Sequence, residues 1–337
     1  MKKLKRSIFT TIGLSAVLLL GACGEEKASS EEKEYNLKMS VTVSDSSTWY
    51  EAAEKLKKDL AEESDGRINI ELFANEQLSG GDSGKAVESL AKGTIDLTFN
   101  STIIYSILDD RFGVSSAPFL FNDLDEVDKV FNGDGGTKLK EVLSEKGVQA
   151  LGFGENGFRQ LTNSVREVKS PEDIKGLKLR IPGITMYNDL YRELGTDPVT
   201  MTFSEVFTAL QQGTIDGQEN PIDVISSSKL NEVQDYITMW NYSYDPLVLG
   251  MNKKLYDSLS DSDKELFDRL GKEAAAYQVK QAREKEATQI EALKASGMQF
   301  YEPTEEELAA FKETVQPLYA KYKDIWGAEL LEAFQKR

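Results

Sequence analysis

Leu37, Met39, Val41 and Val43 alternate with polar neighbours, the period expected of a half-buried strand. Ser46 or Ser47 can cap a following helix that carries Ala53, Leu56 and Leu60 on one face. Beyond Gly66, Ile68, Ile70 and Leu72 give a second alternating strand. A Gly-rich turn at 80–84 leads into a helix with Val87, Leu90 and Ala91, closed by Gly93 as a left-handed cap, and 95–99 is a third strand. Residues 147–154 read as a strand running toward Asn156 and Arg159.

The stretch 176–223 reads as strand, turn, helix, turn, helix, turn, strand. Leu177, Leu179 and Ile181 alternate with Lys178 and Arg180, and Pro182 stops that strand. Thr202 and Glu205 have the spacing of a capping box and open the helix ending near Gln212. Asn220 precedes Pro221, which biases it to an extended conformation and is expected to stop the chain re-entering a helix. Strands are expected at 236–240 and along the apolar run 247–250. From Ser260 or Asp261 a polar segment without proline runs to Ser296. As a helix of roughly 30 residues it would span about 45 Å, long enough to lie across two domains. A short strand at 298–301 and helices from Glu305 finish the chain.

One segment recurs. Leu90-Ala91-Lys92-Gly93-Thr94-Ile95-Asp96 returns 120 residues later (213 minus 93) as Leu210-Gln211-Gln212-Gly213-Thr214-Ile215-Asp216. Each copy ends a helix, starts a strand and is followed by an asparagine, Asn100 or Asn220. Helix–Gly–strand connections converge on such residues, but the pattern also fits two similar α/β lobes. In that case both asparagines would face one crevice, because open α/β sheets bind ligands at the carboxyl ends of their strands.

Composition changes this picture at the N-terminus. Lys2, Lys3, Lys5 and Arg6 precede an uncharged apolar run over 8–20, a secretory signal too short to span a membrane. The run ends at Leu20-Gly21-Ala22-Cys23, and Cys23 is the only cysteine in the 337 residues. This site resembles the bacterial lipobox, which implies cleavage before Cys23, acylation of its thiol and amine, and anchoring to the cell membrane. Residues 1–22 are then a signal peptide and 23–34 a solvated tether. Removing four cations takes the net charge from −17 to −21, which argues against a nucleic-acid partner.

Much chemistry is missing. There is no histidine, so the usual general base and commonest metal ligand are absent. With the one cysteine assigned to lipid, no thiolate nucleophile or metal site is left and no disulfide forms within the chain. The run 80–86 lacks the first glycine and the Ser/Thr of a phosphate loop, and 132–136 lacks the spaced acids of an EF-hand. Two-carboxylate hydrolysis stays open in a chain with 57 acidic residues, but no spacing singles out a pair. What remains is Arg180 at a strand's end, near a helix start at Phe203 and an amide at Asn220, a grouping that suits a small carboxylate.

The runs Asn-Gly-Phe-Arg-Gln-Leu-Thr-Asn from Asn156, Gly-Leu-Lys-Leu-Arg-Ile-Pro at 176–182, Phe-Ser-Glu-Val-Phe-Thr-Ala at 203–209 and Gly-Thr-Ile-Asp-Gly-Gln-Glu-Asn-Pro at 213–221 follow one another along the chain. In order and spacing they resemble the substrate-binding proteins of TRAP (tripartite ATP-independent periplasmic) transporters. The resemblance implies a two-lobed α/β fold, like periplasmic binding proteins of type II, with a ligand cleft between the lobes and a long helix bracing both. Lobe I would hold 35–156 plus about 246–285, lobe II 157–245 plus about 286–337. It also implies a binding protein rather than an enzyme, without cofactor or metal, acting as a monomer with the transporter's membrane subunits. By the same resemblance Arg180 holds the ligand carboxylate and Arg159 is a second ligand-contacting arginine. Phe203 packs on the ligand, Asn220 and Asn241 are polar contacts, and Asn100 reaches in from the first lobe. The ligand is an organic acid: a sugar acid, favoured because the three asparagines suit hydroxyls, or a four-carbon dicarboxylate. A receptor for a sensor kinase and a secreted hydrolase are the competing functions.

Overall fold

The computed structural model describes residues 33–336. The signal peptide, Cys23 and the tether as far as Glu32 lie outside the described residues. Eleven strands form two mixed sheets among the described residues. The first contains β1 (Tyr35–Val41), β2 (Ile68–Phe73), β3 (Leu97–Ser101), β4 (Val148–Phe158) and β10 (Tyr244–Asn252), in the order β2-β1-β3-β10-β4. The second contains β5 (Gln160–Asn163), β6 (Lys178–Ile181), β7 (Asp197–Thr200), β8 (Gly217–Asn220), β9 (Tyr236–Thr238) and β11 (Gln299–Tyr301), in the order β11-β9-β5-β8-β6-β7.

The two sheets repeat one topology. β1 lies parallel between β2 and β3, with antiparallel β10 beyond β3; β6 lies parallel between β7 and β8, with antiparallel β5 beyond β8. The sequence repeat marks the matching corner in each. Gly93 and Gly213 end their helices at φ +81° and +66°, a left-handed conformation that glycine adopts without steric penalty. Asp96 then accepts a hydrogen bond from the Lys38 backbone N–H, and Asp216 from that of Lys178, each at 2.8 Å. Both aspartates therefore lock the new strand to the parallel strand beside it.

Two sequence expectations change. Between the two helices of 176–223, where a turn is expected, Asp197–Thr200 form β7, an edge strand, where a proline leaves no ladder bond unmade. Pro221 does not keep the chain out of a helix. It is the cap of the helix Ile222–Ser227, since proline restrains the residue before it and not those after.

The chain crosses between the sheets at Arg159, again through 239–243, and finally along the helix Asp261–Ala295. At 35 residues this helix is about 52 Å long. Near its start Phe267, Leu270 and Ala274 pack with Leu37, Met39 and Leu56, and near its end Ile290 and Leu293 pack with Leu210 and Ile237. Its close approach to β4 depends on glycines: a Cβ at Gly152 would stand 2.6 Å from the Ala275 Cβ, and one at Gly271 equally close to the Leu151 Cβ. Midway, Gln278 bonds both the N–H and the C=O of Glu155, at 2.7 and 2.8 Å. The last helix, Ala328–Gln335, packs on the helices Leu124–Phe131 and Asp134–Glu145, with Phe334 edge-on against Phe131 at 5.7 Å.

Candidate ligand-binding cleft

A cavity of about 550 Å³ opens where the parallel strands of both sheets end. Thr42 and Val43 follow β1, Ser101 ends β3, Pro182 and Gly183 follow β6, Thr200 ends β7 and Asn220 ends β8, and all of them line it. Backbone groups at the carboxyl ends of strands are free of the ladder, which is why such crevices bind ligands. The cavity therefore takes its walls from both lobes.

Arg180 is third in β6, where Leu179 and Ile181 turn into the core and place it on the opposite face. It is 4% exposed and lines the cavity. Its Nε and Nη2 both donate to the Met201 carbonyl, at 3.2 and 3.0 Å, and its guanidinium lies 5.6 Å from the Phe203 ring centre. Arg180 forms no ion pair among the described residues, so most of its fork of donors lacks a protein acceptor. Burial pulls its pKa down to about 10, with Glu219 opposing and Arg159 adding to the shift; it stays protonated at neutral pH.

Arg159 also lines the cavity but is satisfied internally. It forms ion pairs with Glu219 through Nε and with Asp245 through Nη1 at 2.5 Å. Its Nη2 donates to Glu219 Oε1 at 2.8 Å, to the Glu219 carbonyl at 2.9 Å and to Asn220 Oδ1 at 3.1 Å. Burial alone would lower its pKa, but Glu219 and Asp245 hold it well above the ordinary arginine value. Burial conversely pushes Asp245 up, against the pull of Arg159. Since Glu219 is on β8 and Asp245 on β10, Arg159 joins strands of both sheets where the chain crosses.

The other expected residues divide. Phe203 lines the cavity as the first residue of its helix, behind the capping box in which the Thr202 N–H donates to Glu205 at 3.2 Å. Asn220 lines it with both amide ends engaged, Nδ2 donating to Gln218 at 2.5 Å and Oδ1 accepting from Arg159. The structure does not bring Asn100 or Asn241 to the cavity wall. Asn100 is buried behind it, donating to Glu76 Oε1 at 3.0 Å. Asn241 is exposed, in left-handed backbone (φ +46°), and its Oδ1 accepts from Gln160 at 2.6 Å.

Sequence reasoning missed Asn156, Glu219 and Asp245. Asn156 lines the cavity and donates to Asp245 at 2.7 Å, while its buried Oδ1 lacks a partner among the described residues. A signal was present: Glu219 sits in a strand only four residues long beside a proline, where a carboxylate must find a cation once buried. Glu76 was missed as well. It is buried with φ +51° and accepts from Ser40 at 2.5 Å, Thr42 at 2.8 Å and Asn100. Burial pushes its pKa up to about 7 despite these bonds.

A family model described as "bacterial extracellular solute-binding protein, family 7" matches residues 39–324. The chain belongs to this family. The chain is similar to the 2,3-diketo-L-gulonate-binding periplasmic protein of Escherichia coli, 32% identical over 303 residues, with 88% of this chain and 90% of that protein covered. Among solved structures, the sugar acid binding protein of Advenella mimigardefordensis in complex with galactonate superposes with a TM-score of 0.87 at 33% identity, covering 90% of this chain and 98% of that one. A TRAP periplasmic solute binding protein of Ralstonia eutropha with bound (S)-2-acetolactate gives 0.86 at 32% identity, covering 90% and 99%. The resemblance to TRAP solute-binding proteins and the two-lobed α/β architecture are thus established.

Proposed function

We propose that this receptor captures an organic acid outside the cell membrane and hands it to the membrane subunits of a TRAP transporter, with Arg180 gripping the ligand carboxylate. The observation that carries the assignment is the state of Arg180: a buried guanidinium on the cavity wall whose only protein acceptor among the described residues is a carbonyl. A carboxylate fits it because the planar fork matches two oxygens at once, and such charge-assisted bonds are the strong ones. Phe203 would cover one face of the ligand, and Asn220 and Arg159 would shape the wall beside it. The relatives named above carry a diketogulonate, a galactonate and an acetolactate, all acids, which supports the class.

Acylation of Cys23 would hold the protein at the membrane, where a monomer on its short tether could reach the transporter. No catalytic group is needed in such a cycle of capture and release.

Thermal denaturation with a panel of organic acids tests the reading. A bound acid raises the melting temperature by mass action, and Arg180→Ala should abolish that rise while the ligand-free protein still folds cooperatively. An Arg180→Ala protein that binds acids as tightly as the native one overturns the assignment.

A further inference from the structure

Glu76 stands one side chain behind the cavity wall. It is 1% exposed and accepts from Ser40 Oγ at 2.5 Å, from Thr42 Oγ1 at 2.8 Å and from Asn100 Nδ2 at 3.0 Å. Of these three, Thr42 lines the cavity. No cation bonds Glu76 among the described residues. The titratable groups that face it there are Asp82, whose charge opposes its ionisation, and the buried Tyr105.

Each of its partners can serve either protonation state. A hydroxyl such as Ser40 or Thr42 donates to a carboxylate or accepts from an acid. The Asn100 amide donates as placed and accepts when turned over. Its Oδ1 has no partner among the described residues, so turning it breaks only the bond to Glu76.

The loop that carries Glu76 ties this cluster to the facing lobe. Asn75 and Glu76 are both left-handed (φ +51°), a strained backbone for side-chain-bearing residues that persists where the surroundings enforce it. Their N–H groups donate to the Val43 and Val41 carbonyls at 3.1 and 3.2 Å, and the Gly81 N–H returns to the Glu76 carbonyl at 2.9 Å. The Gly81 carbonyl then accepts from Ser204 Oγ, beside Phe203 on the other lobe, at 3.2 Å. Asp82 and Ser83, next along the loop, line the cavity.

We propose, on the reading that Arg180 grips a carboxylate, that capture is linked to a proton on Glu76: the receptor holds its anion tightly with Glu76 neutral and loosely once Glu76 ionises. An ionised Glu76 would add its charge to that of Asp82 behind the wall the anion approaches, where burial leaves like charges poorly screened. Burial already raises its pKa to about 7, which puts the step near neutrality. The coupling is reciprocal: a bound anion raises that pKa further, so binding draws in a proton and affinity falls as pH climbs through 7. Glu76 is thus a positioning residue that acts through Thr42 and the loop.

Calorimetric titration with galactonate, erythronate and pantoate, acids that stay ionised from pH 6 to 8, tests this. For a ligand-induced rise of about one pKa unit, affinity should drop about fivefold between pH 6 and pH 8. At pH 7.5, buffers of different ionisation heat should reveal uptake of about half a proton. Glu76→Gln, checked for folding by its melting curve, should bind as the native protein does at pH 6 and show neither slope nor uptake. This variant separates Glu76 from Asp223 and Asp245, whose burial also pushes their carboxyls up. In the native protein the Glu76 carboxyl carbon, followed by 13C NMR, should titrate about one unit higher with ligand than without, a readout that needs no variant. Flat affinity from pH 6 to 8, a slope that persists in Glu76→Gln, or an unchanged carboxyl midpoint overturns the inference and leaves the receptor reading intact. If none of the three acids binds at pH 6, or Arg180→Ala binds them normally, the receptor reading itself fails and this inference falls with it.

Discussion

Arg159 and Arg180 line the same cavity and are both buried, yet they do opposite things. Arg159 meets two carboxylates and a side-chain amide from the protein itself, so its charge is balanced before any ligand arrives. Arg180 meets one carbonyl, and burial pulls its pKa down with no bonded carboxylate to reverse the shift, whereas Glu219 and Asp245 hold that of Arg159 up. The first arginine is a fastening between two sheets; the second holds an unspent charge. A buried charge is costly to leave unpaired, so the place where the fold tolerates one is the place where a counter-charge from outside is expected.

Breaking the fastening should have the largest effect. Arg159→Met leaves Glu219 and Asp245 buried without their cation and should destabilise folding by about 3–5 kcal/mol, measured by urea denaturation. A loss under 1 kcal/mol would put the two arginines in one class. Arg180→Met should be the mirror image. Removing a desolvated charge that meets no carboxylate among the described residues leaves ligand-free stability unchanged or raised. Affinity for the preferred acid should fall by about 3 kcal/mol, roughly a hundredfold, by calorimetry. Destabilisation of the ligand-free Arg180→Met protein beyond 1 kcal/mol would show that Arg180 is structural too.

Glu76 sharpens the contrast with a third way of managing a buried charge. It has hydroxyl and amide donors but no cation partner among the described residues, and with its pKa pushed up to about 7 it is protonated on the acid side of neutrality. Its folded-state pKa of about 7 lies above its ordinary value, so the unfolded chain releases this proton first as pH rises. The stability that Glu76 confers is full below the ordinary carboxylate pKa and is lost as pH climbs through 7. Between pH 5 and 7 the native protein should lose about 2 kcal/mol from this group alone. Glu76→Gln, which keeps the hydrogen bonds without the charge, should remove that slope. An unchanged pH profile in the variant would mean that the carboxylate is already ionised in the fold.

These differences explain what could be read from the sequence. The repeated Leu-x-x-Gly-Thr-Ile-Asp segment announced two lobes because Gly93 and Gly213 must be left-handed and Asp96 and Asp216 must bond backbone, demands that fix residue types locally. The 35-residue helix was legible because nothing within 261–295 breaks it. β7 was not, since an exposed edge strand buries too little to impose alternation on its four residues. At the site, Arg180 could be named from its motif, but its freedom and the captivity of Arg159 could not. That distinction depends on Asp245, 86 residues from Arg159 and brought beside it only by the pairing of β10 with β4.

The smallest effect tests the edge of the site. By the family resemblance Asn241 is expected in the pocket, but the residue is exposed and bonds Gln160 both ways, its side-chain Oδ1 accepting at 2.6 Å and its backbone N–H donating at 3.2 Å. Its φ of +46° gives another reason for asparagine here, because few side chains other than Asn and Asp tolerate the left-handed region. Asn241→Gly relieves that constraint and forfeits one partly buried hydrogen bond from Gln160, which still donates to the Phe158 carbonyl, two small terms of opposite sign. Stability should therefore move by less than about 0.5 kcal/mol. Affinity for the preferred acid should not change at all in calorimetry. A drop of several-fold would mean that the bound protein turns Asn241 toward the ligand, and that the wall Arg180 faces is rebuilt when the cleft is filled.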